Sequence, residues 1–268
     1  MTDSSPTTHE SAEFSYAVSD GIGHFVFQRP EQRNALTFAM YEGLAKVCAT
    51  MPDDASVRAL IVSGEGGKAF AAGTDISLFR DFTTAEQALG YETKMAGILS
   101  QIERCPVPTI AVLTGACTGG GAAIATVCDL RIADNKLRFG FPIARTLGNC
   151  LSAWNLSRLA DLIGVARLKE IILTNRLIES AEAQAIGLIS SIHESPEAAS
   201  EAANMLAKRL AEHAPLTMRA TKESLRRLQD AASQVDDEDL IALCYTSTDF
   251  REGMTAFLEK RAPKWSGT

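Results

Sequence analysis

The stretch Leu113-Thr114-Gly115-Ala116-Cys117-Thr118-Gly119-Gly120-Gly121 constrains this chain more than any other. It follows the apolar run from Thr109 to Leu113 and precedes small residues reaching to about Val127. The order is strand, glycine turn, helix start. Consecutive glycines let backbone come close to a bound group, and the first amides of a helix lack partners within it. Such a turn suits either a phosphate or a carbonyl oxygen that gains charge during reaction. A phosphate loop requires Gly-Lys-Ser/Thr after the turn, whereas Ala122-Ala123 stand here, and the spacing of a dinucleotide fingerprint is absent too. Close packing of a helix on a strand is the other use such glycines have.

A second glycine loop narrows the choice. The strand-like run Val57 to Val62 leads into Ser63-Gly64-Glu65-Gly66-Gly67-Lys68-Ala69-Phe70-Ala71-Ala72-Gly73-Thr74-Asp75-Ile76. Together the two loops resemble the signatures of the crotonase family, the enoyl-CoA hydratase/isomerase superfamily, with patterns G-x-x-F-x-A-G-x-D and x-G-x-x-x-G-G-G. The resemblance extends to Arg29-Pro30-Glu31-Gln32-Arg33-Asn34-Ala35-Leu36, to Cys128-Asp129-Leu130-Arg131-Ile132-Ala133 and to Phe257-Leu258-Glu259-Lys260-Arg261, in the family's order from about residue 14 to the C-terminus. It implies an α/β fold: a ββα spiral core over residues 13–195, followed by a helical subdomain over 196–268 that makes trimers, often paired into hexamers.

Composition limits the partners. At 268 residues, 46% of them hydrophobic, the chain can bury a large core. A net charge of −7 argues against nucleic acid as the main partner, so an anionic ligand must be met by local lysines and arginines. The six cysteines form no C-x-x-C pairs and have no histidines at metal spacing, which suggests buried thiols and no metal site. Residues 1–12 carry no apolar core of a signal peptide and read as a tail on a cytoplasmic protein, with no membrane span expected.

The periodicity places the rest. Phe14–Val18 and Ile22–Gln28 flank Asp20-Gly21 as a hairpin. Thr37 caps a helix with Met40, Tyr41, Leu44, Val47 and Cys48 on one face, and Pro52-Asp53-Asp54 stops it. Thr84 caps a longer helix, to about Arg104, with Tyr91, Met95, Ile98, Leu99 and Ile102 on its face. Strands alternating with helices imply a mostly parallel sheet. Leu151 to Leu162 and Ala166 to Thr174 are helical, Ser180 caps a short helix ending at Gly187, and Leu188 to His193 is a last strand. Beyond Pro196 the pattern predicts helices only: 197–212, 216–229, 236–243 and 247–259.

The resemblance assigns roles residue by residue. The N–H groups of Thr74 and Gly120 would stabilise the oxyanion of a thioester enolate. Thr74 replaces the commoner Ala, which a backbone donor tolerates. The ligand would be coenzyme A as part of an acyl-CoA substrate, with no tightly bound cofactor and no metal. The loop around Asn34, Ala35 and Leu36 and the segment Lys68, Ala69 and Ala72 would hold its adenosine and pantetheine, with Asp75 and Ile76 in the adjoining loop. Phe257 would stack on adenine and Lys260 would supply charge to the phosphates; alternatively both merely finish a helix, and Lys68 is a surface lysine.

The proton-transfer group is less plain. Hydratases of the family carry one glutamate two residues past the triple glycine and another just after F-G-x-P; Ala123 and Ile143 stand there in this chain. Neither can move a proton. Candidates to replace them lie between Arg145 and Asn155. Asn149 and Cys150 would face the acyl group, Arg145 would pair with a substrate oxygen, and a helix-start cysteine could be an activated thiol. Alternatively Cys150 is a packing residue and Arg145 a surface ion pair. Glu92, one turn before Met95 and Ala96, is the remaining carboxylate. Histidines 9, 24, 193 and 213 lie outside the signature loops and are not expected to act. The expected activity is hydration or isomerisation of an enoyl-CoA; the alternatives are acyl-CoA hydrolysis or decarboxylation, or acyl-CoA binding without turnover.

Overall fold

Period-two alternation of large apolar residues, repeated in strand after strand, explains how the sheet is covered on both faces. Residues 9–51, 56–80, 82–232 and 235–268 are described by the computed structural model. In chain order its elements begin with strands β1 (His9–Ser11), β2 (Phe14–Ser19) and β3 (Ile22–Phe27), then α1 (Phe38–Thr50), β4 (Ala59–Gly64), β5 (Ala69–Ala71) and α2 (Ala85–Glu103). Next come β6 (Thr109–Leu113), β7 (Ala116–Thr118), α3 (Gly120–Val127), β8 (Leu130–Asp134), β9 (Arg138–Gly140) and α4 (Ile143–Thr146). Then follow α5 (Ala153–Ile163), α6 (Val165–Thr174), β10 (Ile178–Glu179), α7 (Ser180–Ala185) and β11 (Ile192–His193). Helices α8 (Pro196–Ala211), α9 (Pro215–Ala232), α10 (Glu238–Tyr245) and α11 (Thr248–Leu258) complete the chain.

The strands sort into two sheets, one ordered β1-β2-β3-β4-β6-β8-β11 and the other β10-β9-β7-β5. The expected hairpin pairs β2 with β3 antiparallel across Asp20-Gly21, and from β3 to β11 the large sheet is parallel. Each pass of the chain places one strand in the large sheet and the next in the small one: β4 then β5, β6 then β7, β8 then β9. That repeat is the ββα spiral. It brings the turns after β5 and β7 side by side, because those two strands pair in parallel.

On one face of the large sheet, Phe25, Leu60, Val62, Ala111, Leu113 and Ala133 join the main core. On the other, Ile22, Ala59, Ile61, Ile110, Val112 and Ile132 meet Ala199, Ala203 and Ala207 of α8. Those alanines recur every four residues and let the helix lie flat on the strands. Helix α8 thus covers one face of the large sheet with its alanines. Two expectations change. His9–Ser11 pair with β2 where a tail was expected; residues 1–8, like the stop at Pro52-Asp53-Asp54, lie outside the described residues. Ser180 opens α7 without capping it, and its hydroxyl instead bridges Asp134 O and the Leu137 N–H.

Local signals fix other ends as anticipated. The Thr37 hydroxyl accepts from Met40 N–H, and Thr84 with Gln87 forms a reciprocal capping box at the start of α2. The Cys128–Ala133 motif is a brace. Asp129 accepts from the Thr109 N–H and hydroxyl and ion-pairs with Lys222 of α9, while Arg131 donates to the carbonyls of Ala125, Cys128 and Leu188. The last helices fold back: Ile241, Tyr245, Phe250 and Met254 pack with Phe79 and Ala88, so α10 and α11 roof the region between α2 and the small sheet. Leu216, Leu225 and Leu228 of α9 and Leu240 and Leu243 of α10 remain exposed.

Candidate active site

Two glycine turns meet at the C-terminal ends of β5 and β7. Gly73 and Gly119 adopt φ of 119° and 52°, a region that side chains disfavour, and a Cβ on Gly119 would stand 3.4 Å from Gly73 Cα. Leu36 fixes the first turn by donating its N–H to Gly73 O and accepting at its carbonyl from Asp75 N–H. In such a parallel bridge one residue makes both bonds, so the groups of its partner, Thr74, point the other way. Gly119 N–H is spent on Gly140 O, and the Ala123 N–H on Gly119 O, as α3 begins. Neither Thr74 N–H nor Gly120 N–H has a hydrogen-bond acceptor among the described residues. Two free donors on converging turns are able to receive an oxygen that gains negative charge.

Glycine at 120 is dictated by a neighbour. A Cβ there would lie 1.7 Å from the Tyr41 hydroxyl and 2.7 Å from Thr74 Oγ1. Tyr41 is fully buried, and its hydroxyl stands 2.8 Å from Thr74 Oγ1. Burial holds that phenol well above its ordinary range, so it stays protonated.

The donors open into a cavity of about 560 Å³. Phe79, Tyr91, Met95, Leu99, Phe141 and Leu151 make its wall largely apolar. Into this wall α2 brings Glu92, only 8% exposed. The Tyr245 hydroxyl of α10 donates to Glu92 Oε1 at 2.6 Å, and Asn149 Nδ2 donates to that hydroxyl at 3.3 Å. Burial pushes the Glu92 carboxyl up to about 7, aided by the charge of Asp237 and opposed by the Tyr245 and Ser152 hydrogen bonds. A carboxyl tuned near neutrality can both take and return a proton. The other carboxylate on the wall, Asp75, is occupied otherwise: it caps Ser77 N–H and pairs with Arg29 at 2.9 Å, and these bonds outweigh partial burial to hold it below its ordinary range.

The sequence matches the enoyl-CoA hydratase/isomerase family over residues 17–268. The chain belongs to this family. Enoyl-CoA hydratase domain-containing protein 2 of Bos taurus is 34% identical over 259 residues, covering 93% of this chain and 86% of the relative. The 2,3-dehydroadipyl-CoA hydratase of Escherichia coli is 30% identical, covering 89% and 92%. Among solved structures, methylmalonyl-CoA decarboxylase in complex with 2-nitronate-propionyl-CoA superposes with a TM-score of 0.86 at 26% identity, covering 96% of this chain and 99% of that one.

Within this enoyl-CoA hydratase/isomerase framework, the cavity gathers Thr74, Gly120, Asn149, Cys150 and Glu92 with Ala35, Ala72, Asp75, Ile76 and Phe257, and Ala123 and Ile143 line it too. Arg145 departs from expectation. Its side chain is exposed and outside the cavity, because the short helix α4 turns it outward and its N–H is fixed to Asn175 Oδ1. Cys150 is not at a helix start, since α5 begins at Ala153; its thiol is pushed up chiefly because it donates a hydrogen bond to the Cys244 sulfur, and further by partial burial and by the charges of Cys244, Glu92 and Asp237. It is a thiol and not a thiolate. Asn34 cannot face a ligand with its side chain: fully buried, it accepts from Arg29 N–H and donates to Glu65 O and Ala69 O, pinning the first loop to β5. Leu36 and Ala69 are buried beside it, and Lys68 and Lys260 are exposed and off the cavity wall.

Three tyrosines and an arginine complete what sequence reasoning passed over as site residues. Tyr41 and Tyr91 fall on the apolar faces of their helices, where periodicity marks them only as core positions. Tyr245 comes from a distant helix, and Arg33, at φ 52°, stands at the cavity wall where the loop turns. Only the left-handed bend at Arg33-Asn34 has a local cause, and no sequence signal marks Tyr245. Among the described residues no cluster of three metal-ligating side chains occurs, and no helix is long and apolar enough to cross a membrane.

Proposed function

We propose that this chain is an acyl-CoA enzyme that forms a thioester enolate at the Thr74 and Gly120 N–H groups and moves its proton with Glu92. One observation carries the reading: a single cavity holds two unpaired backbone donors and a buried carboxyl poised near pH 7. In a 3-enoyl-CoA, Glu92 takes the proton from C2, the electron pair moves onto the thioester oxygen, and the same carboxyl returns the proton at C4. The double bond is then conjugated with the thioester. One titratable group suffices for this isomerisation, which fits a wall where Ala123 and Ile143 stand at the positions of the family's usual glutamates. Arg33 and Phe257, both at the cavity wall, would meet the phosphates and the adenine of coenzyme A, and Lys260, beyond that wall, would add charge toward the phosphates. The exposed leucines of α9 and α10 support assembly into a trimer or a dimer of trimers.

The test is the absorbance of the conjugated thioester with purified protein and 3-hexenoyl-CoA. Growth of that absorbance is expected, and Glu92→Gln lowers the rate by about 10² to 10⁴-fold while leaving binding intact. Equal rates for the two proteins remove Glu92 from the reaction. A second reading, decarboxylation, is favoured by the 0.86 TM-score against methylmalonyl-CoA decarboxylase. Its weakness is that Arg145, the residue expected to orient a carboxylate, is outside the cavity. Release of carbon dioxide from methylmalonyl-CoA, undiminished in Glu92→Gln, would establish it. Binding of both esters with turnover of neither would make the chain an acyl-CoA binding protein.

A further inference from the structure

Thr74 contributes more than a backbone amide. Its Oγ1 is 2.8 Å from the Tyr41 hydroxyl, and both oxygens press against the bare Cα of Gly120, the residue that supplies the second free N–H. A hydroxyl has one proton and two lone pairs. A phenol is the stronger acid of the pair and the poorer acceptor, so the buried Tyr41 hydroxyl, with no other hydrogen-bond partner among the described residues, donates to Thr74. With the Tyr41 hydroxyl donating to Oγ1, the threonine's own proton is left for the open side. Thr74 is only partly buried, and the open side is the cavity.

We infer that the Thr74 hydroxyl, held by Tyr41, is a third hydrogen-bond donor to the thioester oxygen, alongside the N–H groups of Thr74 and Gly120. This rests on the enolate reading above and adds a side-chain catalytic residue to it; Tyr41 is a positioning residue. The arrangement explains why a glycine is needed at 120, since the hydroxyl pair fills the space its side chain would take. It also gives a role to threonine at a position where a backbone donor alone would be served equally by alanine.

The experiment is isotope-edited infrared spectroscopy of crotonyl-CoA, ¹³C-labelled at the thioester carbonyl, bound to the full chain. Stronger donation lowers the carbonyl stretch. The unmodified protein should shift it below its value in water; Thr74→Ala should give back part of that shift with affinity changed only a few-fold, and Thr74→Ser should restore it. Tyr41→Phe, which removes the donor but keeps the ring, should give an intermediate shift. Turnover on the productive ester should fall by up to about 10²-fold in Thr74→Ala, in kcat rather than KM. A shift unchanged in Thr74→Ala overturns the third donor and leaves the enolate reading standing. No shift in the unmodified protein, or no complex at all, overturns both.

Discussion

The two ends of the cavity are built from different materials. At one end, the unpaired amide donors are backbone: the N–H groups of Thr74 and Gly120, set by Gly73, Gly119 and the pairing of β5 with β7. At the other, Glu92, Tyr245 and Asn149 are side chains from α2, α10 and the loop before α5. Backbone donors cannot titrate and cannot swing, so their geometry is fixed when the sheet forms. At the carboxyl end, burial and two hydroxyls set the protonation of Glu92, and each of those can be altered singly. One end of the site supplies a constant, and the other an adjustable quantity.

The largest predicted effect strikes the constant end. Gly120→Ala drives a methyl into the Tyr41 hydroxyl, which is fully buried and has no room to withdraw. Turnover is expected to fall by about 10³-fold or more, with about 1 to 3 kcal/mol lost from stability. Steady-state kinetics and thermal melting check this, and near-normal kcat would mean the corner tolerates displacement and the contrast is false. The next effect concerns the adjustable end. Tyr245→Phe removes a donor to ionised Glu92, so the carboxyl, already raised to about 7, rises further. A bond to a charged group is worth about 1.5 to 3 kcal/mol, or about one to two pKa units. The limb of the pH–rate profile that climbs as Glu92 deprotonates should therefore move to higher pH, lowering activity below neutrality and sparing it well above. Thr74→Ala, at the corner without titrating groups, should leave that limb in place. The smallest effect is at Cys150, whose thiol is held protonated. Cys150→Ala should change kcat/KM by less than about twofold, and rapid inactivation of the native protein by iodoacetamide at neutral pH, with protection in Cys150→Ala, would contradict it.

The contrast also governs what could be read from the sequence. Gly73 and Gly119–Gly121 announce themselves because a backbone site is written in consecutive residues, and the same is true of the caps at Thr37 and Thr84. The carboxyl end has no such spelling. Glu92 is one of many helix glutamates until burial singles it out, and Tyr245 meets it only through the return of α10. Arg145 and Cys150 looked chemically apt because they adjoin the cavity in sequence, but α4 points one outward and Cys244 holds the other as a thiol. The packing face of α8 is faint in the sequence for a related reason: Ala199, Ala203 and Ala207 are small, so their spacing carries little hydrophobic contrast until a sheet rich in isoleucine faces them.

Tyr245 reaches Glu92 across 153 positions of the chain. During synthesis the spiral can close and Gly73 can meet Gly119 long before α10 has been made, because those contacts need nothing beyond the small sheet. The carboxyl receives its partner only when almost the whole polypeptide has emerged and the last helices settle, a late, long-range step with a high loop-closure cost. A chain cut short before residue 245 would keep both backbone donors yet present Glu92 without its hydroxyl, in an unroofed cavity. The unpaired amides are thus closed by contacts near in sequence, and the surroundings of Glu92 by one of the longest-range contacts in the chain.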